Sequence, residues 1–257
     1  MDRFSTILAH LGIETLSDMQ RDMCRTADDK CDIQLLSPTG SGKTVAYLLP
    51  LIQLIRPESD DLQAIIVVPS RELAQQSEAV LKQMRVPLKA LCLHGGRPAM
   101  DEHRRLREVR PQVVFATPGR LCDHLTKGNL RTEQVFLLVI DEFDKCLELG
   151  FEEDMKRIIG QLPPRHTTWL LSATAPEEAT CFVSKGNMKL LDYTVQNTER
   201  EQRIDTTIVH APIPDKLETL ARLLSRQGEA SSIVFVAHRE SCLLYTSPSP
   251  RDYAASR

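Results

Sequence analysis

Short apolar runs alternate with amphipathic stretches through the first two-thirds of the chain, and this alternation restricts the fold more than any other feature. The runs fall at 33–36 (IQLL), 64–68 (AIIVV), 90–93 (ALCL), 113–116 (VVFA), 135–140 (VFLLVI) and 169–171 (WLL). Helical periodicity fills 43–55, 71–84, 98–108, 118–127, 144–161 and 176–184. Short runs rich in Val and Ile, separated by helices, predict β-α units and a parallel sheet buried on both faces. An α/β layered domain of this kind takes its ligands at the carboxyl ends of its strands.

The polar stretch NTEREQR (197–203) reads as a linker, after which the pattern restarts: strand 206–211, helix 215–226, strand 232–237. From 243 onward, LLYTSPSPRDYAASR has no period, so a non-native or disordered tail is expected at 243–257. The seven cysteines are scattered and form no C-x-x-C pair, which predicts reduced thiols and a cytoplasmic protein rather than a disulfide framework or metal site. The opening MDRFSTILAHLG has no cleavable apolar segment, and no run approaches the roughly 20 residues that span a bilayer, so no membrane association is expected. A net charge of −3 argues against nucleic-acid binding by bulk electrostatics, but it leaves room for a local groove.

LLSPTGSGKT (35–44) places a glycine-rich turn between a strand and a helix and matches G-x-x-x-x-G-K-[ST], with Ser37 at the first glycine position. Gly40 and Gly42 let backbone N–H groups converge on an anion at the positive end of the following helix. Pro38 has no N–H, so phosphate binding falls to Thr39, Gly40, Ser41, Gly42, Lys43 and Thr44. Lys43 is expected to reach the β- and γ-phosphates, and the Thr44 hydroxyl to ligate Mg²⁺.

The strand at 135–140 runs straight into Asp141 and Glu142. A nucleotide on a phosphate loop needs a second metal anchor at a neighbouring strand tip. Asp141 fits that role, and Glu142 is suited to orient or deprotonate an attacking water.

Joined with PSRELAQQ (69–76), GG (95–96), TPGRL (117–121) and SAT (172–174), these motifs make the chain closely resemble the first lobe of the DEAD-box ATP-dependent RNA helicases. Order and spacing agree through residue 174, and a weaker likeness continues to about 240. The resemblance implies a P-loop NTPase (RecA-like) sheet with helices on both faces, followed by an incomplete second RecA-like lobe. The expected organisation is an adenine-reading segment at 1–24, an ATP-binding lobe at 25–195, a linker at 196–203 and the start of a second lobe at 204–242.

The resemblance further implies that Gln20 reads adenine, with Gly12 upstream of it and Leu16-Ser17 in place of the usual Pro-Thr. It makes Lys43, Asp141 and Glu142 the catalytic set. It assigns RNA backbone contacts to Pro69, Arg71, Gly95, Gly96, Thr117, Gly119 and Arg120, none of which reads base identity. Asp144, Ser172 and Thr174 are implied to couple the ATP site to SAT, with Phe143 standing where the family has alanine. Phe4 reads as core, and the basic stretch 103–110 as a solvated helix face.

ATP and Mg²⁺ are the implied cofactors and RNA the partner of a monomer. With its second lobe incomplete, the chain is expected to be a fragment without full activity. A nucleotide-gated RNA clamp and a related DNA helicase are the alternatives; Asp144 and Gln20 favour RNA.

Overall fold

The computed structural model describes residues 4–96, 99–183, 188–194, 207–211, 216–228 and 231–235. In chain order the first part comprises α1 (Ser5–Leu11), α2 (Asp18–Ala27), β1 (Asp32–Leu36), α3 (Lys43–Leu54), β2 (Ala64–Val67) and α4 (Arg71–Gln83). Then come β3 (Ala90–Leu93), α5 (Ala99–Val109), β4 (Val113–Ala116), α6 (Pro118–Thr126), β5 (Leu137–Asp141), α7 (Phe143–Glu148) and α8 (Glu152–Gly160). β6 (Thr167–Ser172), a 3₁₀ turn (Glu177–Phe182) and β7 (Met188–Asp192) complete it. The strands form one seven-stranded sheet in the order β3-β4-β2-β5-β6-β1-β7, parallel throughout.

Side-chain alternation along the strands divides the core between the two faces of the sheet. Ile33, Leu35, Ile66, Phe115, Val139 and Trp169 pack under α1 to α4. Ile65, Val67, Val114, Leu138, Ile140 and Leu170 pack under α5 to α8. Phe4 is buried in the first of these cores. The basic stretch 103–110 lies mostly on α5, where Arg104 is exposed and faces Asp101 and Glu108.

Several elements differ from the sequence expectation. The predicted helix 144–161 is two helices. Gly150, at φ 80°, ends α7: its N–H donates to Leu147 O and the Phe151 N–H donates to Cys146 O. These two bonds are the Schellman termination, which needs a residue that tolerates the left-handed region. The predicted helix 176–184 is a 3₁₀ turn, and β7 was not anticipated. α2 crosses residue 24, so the N-terminal segment is packed into the same core as the sheet.

The chain divides into two compact units, Met1–Arg203 and Ile204–Arg257. In the second, α9 (Leu217–Gln227) occupies the predicted helix. The strands expected at 206–211 and 232–237 do not form within the described 207–211 and 231–235. Ile208, Ile233 and Phe235 are exposed there, as befits apolar runs that join no ladder. The linker at 196–203 and the tail at 243–257 lie outside the described residues. Among the described residues no helix is long and apolar enough to cross a membrane.

Candidate functional site

β6 lies between β1 and β5, which brings three strand ends side by side. Leu36 is in register with Ser172, and Asp141 with Leu171. The glycine-rich loop after β1, the acids after β5 and the SAT turn after β6 therefore meet at one place on the carboxyl edge.

Gly42 caps α3 at φ 93° and Gly40 sits at φ 73°, both in the left-handed region that side chains disfavour. A Cβ on Gly42 would also come within 2.9 Å of Gln20 Nε2. Lys43 is buried, and its ammonium donates to the carbonyls of Ser37 (2.6 Å) and Pro38 (3.0 Å). Burial pulls the Lys43 pKa down; the carboxylates of Asp141, Glu142 and Asp144 oppose that pull.

Asp141 is buried, and burial raises its pKa to about 6 despite the nearby Lys43 charge. Its Oδ1 accepts the Glu142 N–H at 3.0 Å. Glu142 adopts φ 54°, ψ 49°, a left-handed conformation for a residue with a Cβ, and caps α7. Backbone of this kind costs about 1–2 kcal/mol and recurs at functional sites. Two residues on, Asp144 Oδ2 accepts the N–H of Ala173 (3.2 Å), the N–H of Thr174 (3.2 Å) and the Thr174 hydroxyl (3.1 Å). The Ser172 hydroxyl donates to Thr174 O at 2.6 Å. Asp144, Ser172 and Thr174 thus form one cluster.

Gln20 closes a capping box on α2: it accepts the Ser17 N–H at 3.0 Å while its own N–H donates to Ser17 Oγ at 3.3 Å. Ser17 in place of threonine supplies the cap hydroxyl. The Gln20 amide reaches the phosphate loop, with Nε2 donating to Gly42 O at 3.4 Å. Each end of a carboxamide can make a second bond, so these contacts leave capacity for a base edge.

The other candidate residues lie on the far half of the same edge, after β2, β3 and β4. Arg71 is exposed beside Glu72 at 2.5 Å, and its guanidinium lies 3.6 Å from where a Gly96 Cβ would stand. Gly95 and Gly96 are exposed, with Gly96 at φ 93°. Thr117 precedes Pro118 at the start of α6 but makes no side-chain cap bond, so its hydroxyl is not spent on the helix. Gly119 is exposed. Pro69 is buried, so its side chain presents no open surface.

Arg120 differs from the open phosphate donor that its motif suggests. Its side chain is only 17 % exposed, and Nε donates to Glu102 Oε2 at 2.7 Å. Glu102 is buried and also takes His124 Nε2 at 2.9 Å. Sequence reasoning missed Glu102, which looks there like one more acid in the first turn of a helix. It likewise missed the buried His94 and His124, each a lone histidine with no spacing signal.

A family model described as "DEAD/DEAH box helicase" matches residues 17–182. The chain belongs to the DEAD/DEAH box helicase family. The match includes the glycine-rich loop, the acid pair and the SAT turn. Among relatives, the ATP-dependent RNA helicase DeaD of Escherichia coli (strain K12) is 34 % identical over 270 residues, covering 95 % of this chain and 41 % of DeaD. The RNA helicase CrhR of Synechocystis sp. (strain ATCC 27184 / PCC 6803 / Kazusa) is 33 % identical, covering 94 % of this chain and 49 % of CrhR. The chain thus spans half or less of the length of these relatives.

Among solved structures, a DEAD box protein from the hyperthermophile Methanococcus jannaschii superposes with a TM-score of 0.70 at 28 % identity, over 87 % of this chain and 61 % of that one. Mss116p bound to ssRNA and AMP-PNP superposes with a TM-score of 0.68 at 27 % identity, over 76 % and 43 %. The seven-stranded parallel sheet is the RecA-like lobe that this DEAD-box chain was expected to have.

Proposed function

We propose that this chain binds Mg²⁺-ATP at the β1-β6-β5 strand ends and RNA backbone at the β2-β4-β3 ends, as part of an ATP-dependent RNA helicase. The observation that carries the reading is the meeting of Lys43, Asp141, Glu142 and the Asp144–Thr174 cluster on adjacent strands. Relatives named as ATP-dependent RNA helicases, and a structural neighbour bound to ssRNA, support it.

In this reading, the N–H groups of residues 39–44 and the start of α3 hold the phosphates. Lys43 leaves the Ser37 and Pro38 carbonyls to pair with the β- and γ-phosphates. Thr44 and Asp141 would hold Mg²⁺. The donor set fits this ion, which favours one or two protein oxygens with water and phosphate completing its shell. Among the described residues no three metal-ligating side chains converge, so nothing there competes as an all-protein cage. Bound Mg²⁺ would neutralise charge on the phosphate oxygens. Glu142 orients the water that attacks the γ-phosphorus and takes its proton, while the bond to the β–γ bridging oxygen breaks.

Gln20 is placed to recognise the base, and Arg71, Gly95, Gly96, Thr117, Gly119 and Arg120 to meet the sugar-phosphate chain. A reducing, cytoplasmic location is part of the proposal and rests on seven scattered cysteines without a pairing pattern; a monomeric state is proposed alongside it. Titration with a fluorescent ATP analogue, with and without Mg²⁺, tests the first half. Anisotropy with single-stranded RNA at several salt concentrations tests the second. Nucleotide affinity indifferent to Lys43→Ala, or RNA affinity governed by base sequence at fixed salt, overturns the corresponding half.

A further inference from the structure

Glu102, on α5, sits where three strand-end loops come together. Its Oε2 accepts from Arg120 Nε at 2.7 Å and from His124 Nε2 at 2.9 Å, and its Oε1 faces the His94 N–H at 3.4 Å. The partners of the two histidines fix their tautomers. His124 accepts on Nδ1 from Asn129 at 3.2 Å and so donates from Nε2 to Glu102. His94 accepts on Nε2 from Gln75 at 2.9 Å and donates from Nδ1 to Gly95 O at 2.8 Å. One carboxylate, 1 % exposed, therefore joins the His94 backbone, just before the Gly95–Gly96 turn after β3, to Arg120 and His124 after β4; Gln75 of α4 meets the His94 ring and not the carboxylate.

A buried carboxylate is retained only where several donors satisfy it, and here each donor belongs to or adjoins the proposed RNA surface. A guanidinium is a rigid planar fork, and the Nε bond to Glu102 is the shorter of its two carboxylate contacts: Nη1 also faces Asp123 Oδ2 at 3.7 Å, on a side chain one-third exposed. The buried carboxylate thus anchors the Nε side of the fork, and 17 % of the Arg120 side chain stays exposed beside Asp123.

We propose that Glu102 is the positioning residue of the RNA surface: it holds Arg120 and the Gly95 turn in the geometry that receives the RNA phosphates. The proposal rests on the RNA reading above. Glu102 itself touches no phosphate. Its negative charge, taken alone, repels RNA, and that separates positioning from bulk electrostatics.

The test is anisotropy with fluorescent oligouridylate across a salt series, for the unmodified chain, Glu102→Gln, Arg120→Ala and the double variant. Glutamine keeps the shape of Glu102 and one oxygen that can still accept both Arg120 and His124, but it removes the charge from those bonds and turns an NH₂ donor toward the His94 N–H, which loses its acceptor. Glu102→Gln is expected to bind RNA about tenfold more weakly, the scale of one charge-assisted hydrogen bond. Its salt slope should fall by about 0.7, the value for one phosphate contact on a single strand. The double variant should be no weaker than Arg120→Ala.

Tighter binding by Glu102→Gln shows that the carboxylate acts only as a repelling charge, and it overturns the proposal. So does a lowered melting temperature with unchanged RNA affinity well below the melt. Should Glu102→Gln fail to fold, Glu102→Asp keeps the charge and shortens the reach, and the same weakening with the same loss of slope is expected. No RNA binding by the unmodified chain overturns the RNA reading itself, and it is seen before any variant is made.

Discussion

Asp144 holds Thr174 twice on one carboxylate oxygen, through the backbone N–H at 3.2 Å and the hydroxyl at 3.1 Å. The Ala173 N–H shares that oxygen at 3.2 Å. The start of α7, immediately after Glu142, is thereby pinned to the turn that follows β6. Thr174→Val deletes the hydroxyl bond and leaves both N–H bonds, at an expected cost of about 1 kcal/mol. Asp144→Ala strands the N–H groups of Ala173 and Thr174 and also removes the acceptor of the Lys145 N–H, at an expected cost of about 2–4 kcal/mol, because unmade hydrogen bonds cost more than made ones contribute. Urea denaturation of the two variants measures both; equal losses would show that the hydroxyl carries the link alone.

Lys43 is a buried cation whose present partners are two carbonyls of its own loop. Methionine matches the stem of the side chain and removes the charge that burial disfavours. Lys43→Met should therefore fold at least as stably as the unmodified chain while losing Mg²⁺-ATP affinity by tenfold or more. Thermal melting and nucleotide titration on the same preparations separate the two effects. A large drop in melting temperature would mean that Lys43 braces the loop instead of waiting for phosphate.

Asp141 carries a pH signature whose sign follows from burial. Its folded pKa, raised to about 6, lies above the ordinary carboxylate value of 3.8. Between those values the folded chain holds a proton that the unfolded chain has released, so stability falls as pH rises from about 4 to about 6. The loss amounts to about 3 kcal/mol at most. Asp141→Asn removes the ionisation. It should stabilise the chain at pH 7.5 relative to the unmodified protein and show little difference at pH 4. Mg²⁺-ATP affinity of the unmodified chain should decline as pH drops through about 6, where Asp141 ceases to be a ligand. A stability difference independent of pH would refute the assignment.

The nucleotide half of the site was legible because its chemistry is local: Gly40, Gly42, Lys43, Asp141 and Glu142 lie in short motifs at strand ends. Sequence could not give their adjacency, which comes from β6 passing between β1 and β5. β7 escaped because an edge strand need not be apolar throughout. Leu190 in it is 57 % exposed, and the buried-strand pattern is absent. The break between α7 and α8 was written in Gly150, but the apolar period continues across it through Phe151 and Met155. Glu102 left no local trace, since its partners Arg120 and His124 are 18 and 22 residues away and meet it only after α5 and α6 pack.

Phe143 departs from the family pattern, and the structure accounts for its bulk. The ring is fully buried and meets Phe182, at the end of the 3₁₀ turn, edge to face with centroids 5.1 Å apart and planes at 70°. Phe143 follows the strained Glu142 and precedes Asp144, while Phe182 lies downstream of the SAT turn, so the ring pair joins the segments that Asp144 joins by hydrogen bonds. Removing either ring leaves a cavity, and Phe143→Ala should cost about 3–5 kcal/mol. Phe182→Ala should cost a similar amount. In a double-mutant cycle the pair should couple by about 0.5–1.5 kcal/mol, the range for edge-to-face rings. Phe143→Leu keeps most of the volume and should lose under about 1.5 kcal/mol. Because Phe143 flanks Glu142 and Asp144, Phe143→Ala should also weaken Mg²⁺-ATP binding at temperatures where the variant is folded, and Phe182→Ala should do so less. Denaturation curves for the cycle and nucleotide titration of the single variants decide the matter. Strict additivity would show that the two rings fill independent cavities, and that the segment after SAT is held by Asp144 alone.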